Sequence, residues 1–173
     1  SVIKTEEKDL EKDTAKTVRA DGNYVYNGAF QEGTNRLGYW EISKPQGTDV
    51  TVTNENNVRR LKVTAGDGVS KEHPVTIAQS ALPLTEGDYA LSFLAQGADG
   101  SAVMAKAGGQ EFEAALSKEA QTYRYKFTLA ADEITDQAKE IQLLITQPGV
   151  YYLDDVRLEE DSLIKNGNFR AGF

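Results

Sequence analysis

The sequence contains no cysteine, and it is poor in basic side chains and in long apolar runs. Without cysteine the chain forms no disulfide, holds no zinc through thiolates and has no thiol nucleophile. Its 19 basic and 27 acidic residues give a net charge of −8, which opposes binding to nucleic acid because that affinity depends on clustered Lys and Arg side chains. No run of 18 apolar residues is present, so we expect no membrane insertion. Ser1 begins no apolar leader, and we expect any secretion signal to lie upstream.

Two regions of different composition follow one another in the 173 residues. Residues 1–22 carry many charges of both signs and almost no large apolar side chains, which predicts a linker with some helical tendency. From Tyr24 onward the pattern changes to short runs of alternating apolar and polar residues, separated by Gly, Asn, Asp and Pro. That pattern predicts β-strands.

A short motif occurs twice, near the two ends of the chain. The sequence Tyr26-Asn-Gly-Ala-Phe-Gln-Glu-Gly33 returns as Lys165-Asn-Gly-Asn-Phe-Arg-Ala-Gly172, with the two Asn-Gly pairs 139 residues apart. A period of this length is that of a whole domain rather than of a solenoid repeat of roughly 20–50 residues. We therefore predict one complete module over residues 23–160 and the start of a following repeat over residues 161–173. Tandem modules of this kind favour binding or spacing over catalysis.

The alternating segments predict an all-β fold. Val50–Thr53 and Arg60–Val63 flank an Asn-rich turn and predict a hairpin. About ten short strands at intervals of roughly 8–12 residues, with no helical layer, favour a two-sheet β-sandwich of the jelly-roll type. The residues that alternation assigns to the core are Tyr89, Leu91, Phe93, Tyr123, Tyr125, Phe127, Ile141, Leu143 and Ile145.

Four motifs in a fixed order resemble those of a known family. They are Asn27–Phe30, the aromatic pair Tyr39-Trp40, Gly87–Phe93 and the closing segment Tyr151–Leu158. In this order and spacing they resemble the carbohydrate-binding modules of families 4, 9, 16 and 22, and family 4 most closely. The resemblance spans about residues 24–160. It implies a jelly roll whose concave sheet forms a cleft for a single glycan chain, attached to a secreted glycoside hydrolase.

Aromatic side chains are the first candidates for sugar binding, because the C–H face of a pyranose ring stacks on an aromatic plane. Trp40 is the only tryptophan, and we take it as the candidate stacking platform. Tyr39 takes that role if the strand has the opposite parity. Because side chains alternate along a strand, one of this adjacent pair is expected to point into the core.

Polar side chains opposite the predicted core positions are the second group of candidates. Gln142 and Thr146 lie opposite Ile141, Leu143 and Ile145, and an amide can donate to and accept from sugar hydroxyls. The resemblance implies that glutamines on this strand bind glycan, whereas plain solvent exposure of a sheet face is the alternative. Weaker candidates for the same cleft are His73, Gln79, Arg60 and Gln96. His73 also fits a surface or edge position, and a lone histidine favours neither catalysis nor metal binding.

A structural calcium is the one cofactor that the resemblance implies. Asp154 and Asp155 are adjacent on a predicted strand, so their side chains point to opposite faces and cannot act as one acid–base pair. In the resembled families the first such Asp helps to hold calcium together with backbone carbonyls, which here implies Asp154, the carbonyl of Ala29 and one near Asn57. Such oxygen donors suit calcium. The alternative is a hydrogen-bonded Asp154 that fixes the termini without metal.

The sequence provides no arrangement that favours catalysis. Its carboxylates lie in turns and in the linker rather than in a facing pair of the kind that glycoside hydrolysis requires, and no nucleophile motif accompanies His73. We therefore expect a non-enzymatic, monomeric module, secreted or on a bacterial cell surface. Its expected partners are a polysaccharide, a β-1,3- or mixed-linked β-glucan, and covalently linked catalytic and repeat modules. The alternative is a structural spacer or adhesion sandwich without glycan binding, since only 9% of the residues are aromatic and most of these are predicted to point inward.

Overall fold

The computed structural model describes residues 2–6 and 17–161. Within these ranges the chain forms β-strands, joined by turns and by two short 3-10 turns at Thr34–Arg36 and Ala131–Glu133. None of the described helical segments is long and apolar enough to cross a membrane. The strands are, in chain order, β1 (Val2–Glu6), β2 (Glu41–Pro45), β3 (Asp49–Glu55), β4 (Val58–Ala65), β5 (Val75–Gln79), β6 (Gly87–Gln96), β7 (Ala102–Ala107), β8 (Gln110–Ala115), β9 (Gln121–Leu129), β10 (Ile141–Ile145) and β11 (Gly149–Glu160).

The strands form two antiparallel sheets that pack as a sandwich. One sheet has six strands in the order β1-β2-β5-β10-β7-β8, and the other has five in the order β3-β4-β11-β6-β9. Every described pairing is antiparallel. One hydrophobic cluster fills the space between the sheets and includes residues of both, such as Leu143 of β10 and Leu153 of β11. The predicted all-β sandwich is therefore confirmed.

Alternation along the strands predicted the inward faces well. The hairpin of β3 and β4 forms with its turn at Asn56 and Asn57, both of which have positive φ. Of the nine residues that alternation assigned to the core, seven are buried, and Tyr123 and Tyr125 are partly buried and pack against the core. The period of two therefore identified the buried face of β6, β9 and β10.

Other elements were missed. Val2–Glu6 forms an edge strand that pairs with β2, with Lys4 opposite Ser43. The helical tendency predicted for residues 1–22 is therefore wrong for this part of them. Gln110–Ala115 forms β8, a strand that the alternation pattern did not assign. Conversely, the segment around Tyr24–Gly33, predicted to open with a strand, runs in turns. The predicted repeat over 161–173 lies, after Asp161, outside the described residues and stays a prediction.

The repeated Asn-Gly-x-Phe motif organises this opening segment. Asn27 is 3% exposed. Its Nδ2 donates to the carbonyls of Gly38, Arg36 and Glu32 at 2.9, 3.0 and 3.1 Å, and its Oδ1 accepts from the backbone N–H groups of Gln31 and Glu32 at 2.7 and 2.9 Å. One buried asparagine thus satisfies five backbone groups of an irregular loop, which such groups require when they are withdrawn from water. The motif is explained by the fold.

The opening segment is also tied to an irregularity in β11. The pairing of β11 with β6 shifts between Asp154 and Arg157, where Asp155 has a φ of 50°. At this bulge the N–H of Val156 donates to the carbonyl of Gly28 at 3.0 Å, while Asn23 Nδ2 donates to the carbonyl of Val156 at 3.1 Å. The bulge frees backbone groups of β11 from its own sheet, and they bond the opening segment instead.

Candidate functional sites on the two outer sheet faces

The aromatic pair at positions 39 and 40 does not form an open stacking platform. Trp40 is fully buried, stacks on Phe30 with the ring centroids 5.2 Å apart, and donates from Nε1 to the carbonyl of Asn27 at 2.8 Å. Tyr39 is 7% exposed and its ring lies 4.9 Å from that of Tyr26. The expectation that one of the pair presents a flat ring to a sugar is therefore wrong. Tyr39 has a φ of 74°, so the alternation of an extended strand does not apply to the pair.

Gln79 also lies in the interior rather than in a cleft. It is 0% exposed, its Oε1 accepts from the N–H of Tyr26 at 3.0 Å, and its Nε2 donates to the carbonyl of the same residue. Both ends of the amide are used to fix the opening segment onto β5, which is a structural role. The prediction that Gln79 binds glycan is wrong.

The outer face of the six-stranded sheet carries Gln142. Register places Gln142 between Ala78 of β5 and Lys106 of β7, and the neighbouring row along β10 carries Leu144 between Thr76 and Met104. Among the described residues of these rows the side chains are aliphatic, thioether, hydroxyl, amide or charged, without an aromatic ring. This face can therefore offer hydrogen bonds and aliphatic contacts to a ligand.

A cavity of about 120 Å³ lies at one end of this face. Three glutamines line it, Gln142 of β10, Gln110 of β8 and Gln137 of the preceding loop, together with the ion pair of Lys106 and Glu111, whose Nζ and Oε2 are 3.4 Å apart. The structure therefore brings two further amides to the predicted Gln142. Sequence reasoning missed Gln110 and Gln137 because strand parity reveals nothing about residues at a hairpin turn and in a loop.

Two predicted residues lie away from this cavity. Thr146 directly follows β10 and is half-buried, but it does not line the cavity. His73 is exposed in the turn before β5, where its N–H donates to Ser70 Oγ at 3.1 Å and its carbonyl accepts from the N–H of Ser70. These bonds close a turn between Ser70 and His73. The exposed position of His73 is the surface position that the sequence analysis gave as the alternative to a place in the cleft.

Arg60 and Gln96 lie on the other sheet. Arg60 is on β4 and Gln96 on β6, and the Nη1 of Arg60 donates to the Oε1 of Gln96 at 3.1 Å. With Tyr152 of β11 they line a second cavity, of about 250 Å³, on the outer face of the five-stranded sheet. The prediction that Arg60, Gln96 and Gln142 share one cleft is wrong, because the hydrophobic core separates the two faces.

Asp154 lies on the same outer face as Tyr152. The two are separated by the fully buried Leu153 on β11, and alternation places them on one side of the sheet. The Oδ1 atom of Asp154 is buried and has no hydrogen-bond partner among the described residues. This burial raises the pKa of the Asp154 carboxyl to about 6, and the charge of Arg60 opposes the increase. Asp154 is thus a partly desolvated carboxylate beside a guanidinium.

The three predicted calcium ligands are not brought together. Ala29 lines a cavity of about 360 Å³ with Asp155, Gln31 and Glu32, and Asp154 is not part of its lining. Asn57 lies in the β3–β4 turn. Besides Asp155, this cavity has two carboxylates, and both form ion pairs: Glu32 with Arg19 and Asp21 with Arg157. The described residues contain no group of three or more His, Cys, Asp or Glu side chains that could hold a metal. Asp154 is therefore misassigned to this set, while calcium binding itself stays a prediction.

We expect the variant Asp154→Asn to be more stable than the parent chain at neutral pH. Because the pKa of Asp154 is higher in the folded state than the unfolded value of 3.8, the folded protein takes up the proton first. The cost of the charged carboxylate is therefore full above about pH 6 and disappears below about pH 4. Asp154→Asn should raise the free energy of unfolding by about 1–2 kcal/mol at pH 7.5.

Urea denaturation in metal-free buffer at pH 7.5 and pH 4 measures this difference. The control is Asp49→Asn, an exposed position on β3 of the same sheet, which should shift the free energy by less than about 0.5 kcal/mol. A stabilisation by Asp154→Asn that is equal at both pH values would show that the charge of Asp154 is not its cause.

Comparison with known proteins places this architecture among known sandwiches. No protein-family model and no curated protein matches the chain. Solved structures do match it. A family 61 carbohydrate-binding module in complex with β-1,4-galactotriose is 17% identical with a TM-score of 0.55, over 80% of this chain and 99% of that one. A family 4 module is 18% identical with a TM-score of 0.58, over 79% and 99%.

A third match is part of an enzyme. The enzymatically active domain of tailspike protein 4 of bacteriophage CBA120 is 12% identical with a TM-score of 0.58, over 80% of this chain and 21% of that one. At these identities the likeness shows the fold, which this chain shares with carbohydrate-binding modules of several families and with one part of a larger enzyme. The closer likeness to family 4 stays a prediction.

Proposed function

We propose that this chain is a non-catalytic carbohydrate-binding module that holds a polysaccharide on the outer face of its six-stranded sheet. Two observations support the proposal. The chain shares its sandwich fold with carbohydrate-binding modules, one of which was solved with a bound β-1,4-galactotriose. The observation that carries the site is the cavity on this face, where the side chains of Gln110, Gln137 and Gln142 come together beside Lys106.

The chemistry of this cavity suits neutral sugar hydroxyls. Each amide both donates and accepts, so three of them can pair with hydroxyls that do the same. The Lys106–Glu111 pair cancels its own charge and adds further donors and an acceptor, and the carboxylate of Glu140, which also lines the cavity, adds a second acceptor for hydroxyls. Because no aromatic ring lies on the described rows of this face, we expect modest affinity for a single module. Tandem copies raise the avidity without any new contact.

The finer parts of the proposal concern the ligand and the setting. We propose a β-glucan, β-1,3- or mixed-linked, as the polysaccharide, and a linked glycoside hydrolase that the module keeps close to its substrate. We propose that the module is a monomeric part of a secreted or bacterial cell-surface protein, because such a protein is exposed to polysaccharides of this kind. The net charge of −8 is compatible with a neutral glycan and disfavours a polyanion.

A second candidate function is a structural spacer or adhesion sandwich without glycan binding. The observation that favours it is the burial of Trp40 and Tyr39, which removes the predicted stacking platform. In that case the amide cavity would be an ordinary polar surface. The two functions differ in whether removal of an amide changes binding to polysaccharide.

The variant Gln142→Ala tests the site. Loss of one amide should weaken retardation in gels containing laminarin or barley β-glucan by about five- to tenfold, since a neutral hydrogen bond contributes about 1 kcal/mol. The control Thr64→Ala changes an exposed residue of β4 on the other sheet and should leave retardation unchanged. Equal retardation of the parent chain and Gln142→Ala would exclude this cavity as the site. Absence of retardation for the parent chain would favour the spacer.

A further inference from the structure

The outer face of the five-stranded sheet carries its own cavity, separated by the core from the glutamine cavity. The second cavity, here called the Tyr152 site, is lined by Tyr152, Arg60, Gln96, Thr53, Glu55 and Asn56, with Val58 at one side. Its residues come from β3, β4, β6 and β11, with Asn56 from the β3–β4 turn. Four adjacent strands of the sheet thus line one cavity.

Tyr152 supplies an aromatic ring at this site. Other partly buried aromatic rings of the sheets, such as those of Phe112, Tyr123 and Tyr125, pack against the core, whereas Tyr152 lines the outer cavity. Its hydroxyl donates to Glu55 Oε1 at 3.0 Å, and Lys62 Nζ lies 5.6 Å from the ring centroid. Because these two contacts hold the ring beside the cavity, a ligand that packs on it orders little of the protein.

The polar groups of the Tyr152 site are equally well fixed. Gln96 accepts from Arg60 and donates from Nε2 to the carbonyl of Lys118 at 2.7 Å, so its orientation is set from both ends. Asp154 attracts the guanidinium of Arg60 from the same face of the sheet. An arginine has five N–H donors in a fixed fork, and the bond to Gln96 uses one of them. Arg60 therefore presents preorganised donors to a ligand in the cavity.

The charges of the Tyr152 site balance. Of the residues that line the cavity, Arg60 carries one positive charge and Glu55 one negative charge. Outside the lining, Lys62 Nζ lies 3.3 Å from Glu55 Oε2. A balanced site does not favour a uronate or a phosphate over a neutral molecule. An aromatic ring combined with an arginine, an amide and a carboxylate is a set that packs on the C–H face of a sugar and bonds its hydroxyls.

We propose that the Tyr152 site is a second saccharide site, which binds a short neutral saccharide independently of the glutamine cavity on the opposite face. Its volume of about 250 Å³ lies below the roughly 300–1,000 Å³ of pockets that enclose drug-sized ligands, so it suits one end or a short stretch of a glycan. A module with sites on both faces can hold two chains, or two points of one chain, at once.

Titration of the ¹⁵N-labelled full chain followed by amide chemical shifts tests this. The probes are laminaritetraose and xylotetraose as neutral saccharides and trigalacturonate as a charged one. We expect saturable shifts at Thr53, Arg60, Gln96 and Tyr152 with at least one neutral probe and none there with trigalacturonate. Tyr152→Ala should weaken this binding about fivefold, since an aromatic contact contributes on the order of 1 kcal/mol.

Two controls separate the Tyr152 site from the glutamine cavity and from misfolding. Tyr152→Phe keeps the ring and loses the hydroxyl that bonds Glu55 and interacts with Lys62, so it should retain affinity to within about threefold of the parent chain. Gln142→Ala should leave the shifts at the Tyr152 site unchanged, even if it removes binding on the other face. The proposal is overturned if neither neutral probe shifts these residues, if trigalacturonate shifts them equally, or if Tyr152→Ala binds as the parent chain does.

Discussion

Replacing Gly28 with alanine should lower the free energy of unfolding by at least about 3 kcal/mol. A Cβ atom at this position would lie 2.0 Å from the carbonyl oxygen of Val156, which is far inside contact distance, and the neighbour is backbone rather than a side chain that can rotate. The opening segment would have to move away from β11. That movement breaks the bonds from Val156 N–H to Gly28 and from Asn23 to Val156.

Urea denaturation followed by tryptophan fluorescence measures this effect, because Trp40 is the only tryptophan and is fully buried. Gly68→Ala is the matched control. A Cβ at Gly68 would meet its nearest atom at 3.7 Å, which is an ordinary contact, so its stability should stay within about 1 kcal/mol of the parent chain. Equal stability of the two variants would contradict the close approach of the opening segment to β11.

Replacing Asn27 with alanine should cost about 3–4 kcal/mol. The change leaves five backbone groups without the side chain that satisfies them. It also places an alanine at a φ of 54°, a conformation that asparagine adopts more readily than alanine. Since Trp40 Nε1 bonds the carbonyl of Asn27, we expect the tryptophan emission of any folded fraction to shift as well.

Asn27→Asp separates the two causes. Aspartate tolerates the same backbone conformation and keeps an oxygen for the N–H groups of Gln31 and Glu32, but it loses the donations to three carbonyls. At pH 7 its second carboxylate oxygen would face those three carbonyl oxygens from a buried position, so Asn27→Asp should be no more stable than Asn27→Ala, and it should gain stability relative to Asn27→Ala at pH 4, where the carboxyl can be protonated. If Asn27→Ala unfolds with the same midpoint as the parent chain, the proposed structural role of the repeated motif is wrong.

Local patterning predicted the sheets because each strand is buried on one side. The alternation of Ile141, Leu143 and Ile145 identifies the inner face of β10 without knowledge of its neighbours, and all three are fully buried. The same rule expects one of Tyr39 and Trp40 in the core, and Trp40 is that residue, but the rule does not predict that Tyr39 has a positive φ and that the pair precedes β2. Trp40 therefore lies in the core, whereas Tyr39 packs against Tyr26 and does not belong to the core cluster.

Strand order was beyond the reach of local patterning. Gln142 and Arg60 each alternate with core residues along their own strand, so both were expected on the outer face of a sheet. The alternation does not reveal to which of the two sheets each strand belongs. Nonlocal pairing decides this, since β10 joins β5 and β7 while β4 joins β3 and β11. The bulge at Asp155 is a further case. It sets Asp155 beside the opening segment and Asp154 beside Arg60, the reverse of the predicted assignment.

Affinity electrophoresis of the whole 173-residue chain in gels containing laminarin, barley β-glucan, xylan, mannan or cellulose tests the central proposal most directly. We expect retardation by laminarin or barley β-glucan, with no reducing sugar released from the retarding polysaccharide. Unchanged mobility in all five gels would contradict glycan binding, and release of reducing sugar would contradict a non-catalytic role.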